Sequence, residues 1–229
     1  MSGSLTPAAI EISEFLAEAR RTPAPYAGGR GRLIFALDAT MSRQPTWDLA
    51  IGLQSHMFEA AAEIGGLDVQ LVYFRGNGEC RASRFVSQGE GLAELMRAIS
   101  VRGGMTQLRR VLAHARDEAK AARVGALAFV GDAMEESLDE LLGVAGELAL
   151  AGVKAFLFQE GDERRARVAF QEIARLTGGA YSAFDAGSAA RLATLLRAAA
   201  AYAAGGRMGL EALAAKEAEA RPLLAQVRT

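Results

Sequence analysis

Two rhythms of apolar and polar residues run along this chain. From residue 31 onward, unbroken apolar runs of strand length alternate with stretches whose apolar residues recur every three or four positions. "RLIFALD" (32–38) is such a run, as expected of a parallel strand covered on both faces. Residues 46–64 follow with helical spacing, since Ala50, Leu53, Met57, Ala61 and Ile64 share one face. "LDVQLVYF" (67–74) and "CRASRFV" (80–86) read as a second and a third strand. The "RGNGE" between them is a hairpin turn, because glycine and asparagine accept the positive φ of tight turns. This pair is therefore antiparallel and belongs at a sheet edge. Helical spacing returns at 89–99, 107–122, 136–151, 164–177 and 187–203, separated by the apolar runs "VGALAFVGD", "GVKAFLFQ" and "GGAYSAF".

Strands alternating with helices imply an α/β fold. The expected architecture is Rossmann-like and doubly wound: a mostly parallel six-stranded sheet, one antiparallel edge strand, and helices on both faces. Thr6 followed by Pro7 marks a helix start, so a short helix is expected over residues 7–20. "RTPAPYAGGRGR" then breaks all periodicity and reads as a linker. After "AAGGR" a further helix fits residues 207–219, with Pro222 expected to interrupt it. The expected organisation is an N-terminal helix and linker (1–30), a main domain (31–204) and a C-terminal helical extension (205–229).

Composition narrows the function classes. Hydrophobic residues make up 51% of the 229, enough for a well-filled core. The net charge of −1, without a dense basic tract, argues against nucleic acid as a partner. No apolar run reaches the ~18 residues of a membrane span, and the start has no basic leader region. Cys80 is the single cysteine, so no intrachain disulfide forms. A cytoplasmic protein is expected.

The candidate chemistry lies at the strand exits, where open α/β sheets bind ligands. After the first strand come Asp38, Thr40 and Ser42, at every second position. "RGGMTQL" places Thr106 after a glycine pair, and "GDAMEE" places Asp132 at the end of the fourth strand. Two carboxylates and three hydroxyls suit a small hard cation, since Mg²⁺ takes one or two carboxylates and keeps several waters. The soft ligands of a zinc site are missing, with Cys80 alone and His56 and His114 inside predicted helices. The bland alternative is helix capping by these same side chains, Thr106 and Asp132 included.

The sequence D-x-T-x-S at 38–42, the threonine at 106 after "GGM" and the aspartate at 132 after "AFVG" resemble the metal-ion-dependent adhesion site of von Willebrand factor type A (VWA) domains. The family's usual first segment is D-x-S-x-S, and Thr40 here keeps the hydroxyl and adds a methyl. The resemblance spans roughly residues 31–203 and extends to the "TGGAYSAF" strand. It implies a Mg²⁺ ion, with Mn²⁺ or Ca²⁺ as alternatives, held by Asp38, Thr40, Ser42, Thr106 and Asp132. It also implies a non-enzymatic module in which a partner protein's Asp or Glu completes the metal shell. The implied setting is beside an AAA-type ATPase or within a chaperone-type assembly.

The competing class is a metal-dependent hydrolase or phosphatase on a Rossmann-like sheet. Such an enzyme needs a second carboxylate two residues after the first, where this chain has Thr40. Only Glu135 and Glu136 offer a general acid or base near the rim, and no P-loop motif occurs. No catalytic residues and no organic cofactor are therefore expected. Around the rim, Met41, Met105 and Met134 are candidate contacts, and Trp47 reads equally as core or as contact.

Overall fold

A computed structural model describes residues 29–40, 44–185 and 187–228. The expected helix at 7–20, its linker up to residue 28, and Ser42 lie outside these residues.

The first strand, β1 (Gly31–Asp38), leads into two short helices, α1 (Gln44–Leu53) and α2 (Ser55–Ala62). The hairpin β2 (Leu67–Arg75) and β3 (Glu79–Val86) comes next, then α3 (Gly89–Arg97) and α4 (Leu108–Ala121). The second half alternates β4 (Ala126–Gly131), α5 (Leu138–Leu150), β5 (Lys154–Glu160), α6 (Arg164–Thr177) and β6 (Ala180–Phe184). A long helix α7 (Ala189–Lys216), a 3₁₀ turn (Ala218–Ala220) and α8 (Arg221–Gln226) complete the chain.

The six strands lie in the order β3-β2-β1-β4-β5-β6. All neighbours are parallel except β2 and β3, so the antiparallel hairpin sits at an edge as the sequence predicts. The direction of winding reverses between β1 and β4, and that switch point is where such sheets form a ligand crevice.

Alternation along the strands sorts the core into two layers. Leu33, Phe35 and Leu37 of β1 join Ala128, Val130, Phe156 and Phe158 against α1, α2, α3 and α7. Ile34 and Ala36 join Phe74, Phe129 and Leu157 against α4, α5 and α6. Both faces are dry, which is why these strands read as unbroken apolar runs.

The expected helix at 46–64 is instead two helices meeting at Gln54. There the side-chain carbonyl takes the Ser55 N–H at 2.9 Å, and the amide donates to the Gly89 carbonyl at 3.3 Å. A side chain that competes for the helix ladder interrupts it. The helices expected at 187–203 and 207–219 are both present within α7, separated by a kink at Gly206, whose φ of 60° and ψ of −149° only glycine adopts readily. Beyond the bend, Leu210, Ala214, Leu223 and Val227 are buried in the same core layer as β1. Pro222 starts α8 in its first turn, where its missing N–H costs nothing, and does not interrupt a helix.

The C-terminal segment also covers the β6 edge. The Gln226 side-chain oxygen accepts the Tyr181 N–H at 3.0 Å, and its amide donates to the Tyr181 carbonyl at 3.1 Å. A carboxamide thus stands where the next strand's peptide would be, which blocks strand addition at that point.

On the α4 side, Gln70 donates from its amide nitrogen to the Ser83 carbonyl at 3.0 Å, so its oxygen accepts from His114 Nε2 at 2.9 Å. Burial holds the His114 imidazole below its ordinary pKa, against the pull of Glu118 and Asp117. The folded protein therefore resists a proton that the unfolded chain accepts near pH 6.5. Stability should be undiminished above that pH and fall as pH drops through it. Urea unfolding at pH 7.5 and 5.5 checks this, and His114→Gln should lessen the loss over that interval.

Candidate metal-ion site at the switch point

The loops that leave β1 and β4 form the site. Leu37 pairs with Val130, so Asp38 stands level with Gly131, one residue before Asp132. Asp38 is only 5% exposed, and its Oδ1 accepts the Thr40 N–H at 2.8 Å, folding the chain back as it leaves the strand. That turn places the Asp38 carboxylate and the buried Thr40 on one small loop.

Four tethers hold the loop 98–107, one at each of the β1 and β4 exits and two at the β2–β3 hairpin. Arg102 N donates to the Ala39 carbonyl at 3.0 Å, beside Asp38. Thr106 Oγ1 donates to the Ala133 carbonyl at 3.2 Å, beside Asp132. Arg75, paired with Glu79, donates to the Ser100 hydroxyl at 3.1 Å and to its carbonyl. Gly104 packs on the backbone of Gly76 in the hairpin turn, so closely that a Cβ at Gly104 would overlap it. Gly104 thus fits the loop to the hairpin.

Two carboxylates from the β4–α5 loop complete the frame. Glu135 accepts the Thr106 N–H at 3.1 Å, while Glu136 accepts from Leu108 N at 2.6 Å and Arg109 N at 3.1 Å. Burial raises the Glu136 carboxyl pKa, and the two amides oppose that rise. The sequence suggests Thr106 as the cap of α4; instead Glu136 fills that role from another loop, leaving the Thr106 hydroxyl to Ala133. The N-cap position of α5 is Ser137, whose side chain makes no capping hydrogen bond. Losing a cap such as Glu136 costs about 0.5–2 kcal/mol. Glu136→Ala should lower unfolding stability by that amount and speed amide exchange at Leu108 and Arg109; unchanged exchange would remove Glu136 from this role.

Of the five candidate ligands, the structure brings Asp38, Thr40, Thr106 and Asp132 to one rim. A further acid, Glu160 at the end of β5, also lies there, 5% exposed, and accepts a hydrogen bond from the buried Thr46 hydroxyl. The sequence signal for it is the "FQE" that closes the fifth strand, the same kind of position that points to Asp38. Among the rim apolar residues, Met105 is 58% exposed and Met134 is 5% exposed. Trp47 is core: its Nε1 donates to the Met96 carbonyl at 3.3 Å, and its ring meets Tyr73 edge-on.

The donor set fits a hard cation. Thr106 donates its hydroxyl proton, which leaves oxygen lone pairs for an ion. Among the described residues no group of three or more histidine, cysteine, aspartate or glutamate side chains gathers as a metal cluster. Two carboxylates supplemented by hydroxyls and water is the arrangement Mg²⁺ tolerates and zinc does not seek.

No protein-family model matches the sequence, and no curated protein matches it. Solved structures do. A von Willebrand factor type A protein from Catenulispora acidiphila superposes with a TM-score of 0.61 at 15% identity, over 76% of this chain. The SpRpn10 VWA domain superposes at 0.56 and 10% identity, over 70% of this chain and 90% of its own. The fold is of the VWA type. An aerotolerance-related membrane protein from Bacteroides fragilis is also similar, at 0.57 and 17% identity, covering 74% of this chain and 98% of its own. This VWA-type chain spans 43% of the Catenulispora chain. Among the described residues, no helix is long and apolar enough to cross a membrane.

Proposed function

We propose that this VWA-type domain is a protein-interaction module that holds Mg²⁺ at its rim and takes an Asp or Glu of a partner protein. Asp38, Thr40, Thr106 and Asp132 hold the ion, together with Ser42. The observation that carries the reading is the tethering of the Thr106 loop to Ala39 on one side and Ala133 on the other. Those bonds join three segments, distant in sequence, whose shared chemistry is hard oxygen. The ion supplies a fixed positive charge that attracts an anionic group from a partner. Asp38 is folded back by its Thr40 hydrogen bond, and Thr106 is aimed by its bonds to Ala133 and Glu135.

Of the acids at the rim that could do acid–base work, Glu135 and Glu136 each accept backbone N–H groups, and Glu160 accepts the Thr46 hydroxyl. This favours the adhesion reading over a hydrolase. The module is proposed to act in the cytoplasm, beside an AAA-type ATPase or chaperone assembly. Affinity capture from a lysate in Mg²⁺ tests it. The expected result is a protein retained in Mg²⁺, released by EDTA, and not retained by Thr106→Ala. A partner held equally in EDTA and by Thr106→Ala would refute the proposal.

A further inference from the structure

Next to the rim, a groove of about 280 Å³ opens between the first turns of α5 and α6. Met134, Leu138 and Val168 supply its apolar lining, with Arg164 and Arg165 beside them. Val168 is 51% exposed, whereas its neighbours Ala166, Ala169, Phe170 and Ile173 on the same helix are buried. Apolar surface left open beside a polar rim is characteristic of a docking patch. Its three apolar lining residues offer contact to an apolar side chain of a partner.

The charge around the groove selects the occupant. Arg164 and Arg165 are exposed, and neither guanidinium has a hydrogen-bond or ion-pair partner among the described residues. The nearest acid in sequence, Glu163, is engaged with the N–H groups of Arg165 and Ala166 at 2.8 and 2.6 Å. Two open guanidiniums at an apolar slot match carboxylates flanking an apolar side chain, since arginine pairs with carboxylates through a planar fork. Met134, which lines the groove, follows Asp132 by two residues, so the groove continues the proposed adhesion rim.

We infer that this groove binds a partner segment carrying one large apolar residue, such as leucine, between acidic residues. The segment seats the apolar side chain on Met134, Leu138 and Val168, and its flanking carboxylates pair with Arg164 and Arg165. This deepens the adhesion-site reading, resting on it only for the partner's additional carboxylate at the metal. The groove contact itself needs no ion.

The test uses the full chain, ¹⁵N-labelled, and a short synthetic peptide with one leucine flanked on both sides by aspartates. With Mg²⁺ present, saturable shifts are expected at the Leu138 and Val168 amides. Val168→Asp and the double variant Arg164→Glu/Arg165→Glu should each weaken binding at least tenfold, as should replacing the peptide's leucine by alanine. Both protein changes are at exposed positions, and an unchanged amide spectrum elsewhere confirms the fold. Groove shifts that persist in EDTA with reduced affinity support both sites. Groove shifts with identical affinity in EDTA and Mg²⁺ support the groove, whose contact needs no ion. No saturable shifts at Leu138 and Val168, or equal binding by the variants, overturns the groove.

Discussion

With Mg²⁺ in hundredfold excess over its dissociation constant, the wild-type domain is expected to melt roughly 5–11 °C higher than in EDTA, whereas Asp38→Ala is not. A ligand that binds only the folded state adds about 2.7 kcal/mol at that excess, and a domain of this size converts each kcal/mol into about 2–4 °C. Asp38 is the sharpest position for the test because its carboxylate is buried and is held in place by the Thr40 N–H. The substitution removes a carboxylate and its Thr40 hydrogen bond at the end of β1 and leaves both apolar core layers intact, so the variant should retain its fold in EDTA. Differential scanning calorimetry of both proteins, with and without metal, reads the difference. Mn²⁺ should act in the same direction, since both ions favour oxygen ligands.

Phe129→Ala should be the most destabilising single change considered, by about 3–5 kcal/mol, which lowers the melting midpoint by roughly 6–20 °C. Phe129 is fully buried in the layer beneath α4, α5 and α6. Its ring meets Phe170 edge-on at 5.4 Å and stacks on Phe74 at 6.2 Å. A Cβ at Gly131 would lie 2.7 Å from that ring, so the end of β4 rests directly on it. Removing the ring leaves a cavity beneath the strand that delivers Asp132. Chemical denaturation measures the loss, and Phe129→Leu should recover most of it by refilling the space. A loss below about 1 kcal/mol would mean that the layer collapses around the gap more readily than its packing implies.

These two effects arise from features that differ in how plainly the sequence displays them. The sheet is legible because burial on both faces turns a strand into an unbroken apolar run, and "RGNGE" announces the one hairpin. Breaks inside helices are less visible. Gln54 looks like an ordinary helical residue, and its competition for the Ser55 N–H emerges only once Gly89 comes alongside. Pro222 resembles a helix breaker, although proline is harmless in a first turn, and nothing local distinguishes the two cases.

At the site, Asp38, Thr40, Thr106 and Asp132 are legible by chemistry and by position at strand ends. Their supports are not. Glu135 and Glu136 look like solvated surface acids, yet they hold the Thr106 loop from a distance of nearly thirty residues in sequence. The fit of Gly104 on Gly76 likewise joins two loops that no local pattern relates. Glu160 stands at a strand end, where the same logic that finds Asp38 applies. Trp47 is ambiguous in sequence because a first-turn aromatic can face either way, and packing on Tyr73 decides it.

The adhesion function proposed for this domain depends on one ion occupying the crevice between the ends of β1 and β4. Crystals of the wild-type protein soaked in Mn²⁺ provide the most direct measurement, through the metal's anomalous scattering. The predicted result is one strong peak contacting Asp38 and the Thr106 hydroxyl, with Asp132 alongside, and none in Asp38→Ala. A crevice without a peak, or a peak bound elsewhere on the surface, would contradict it.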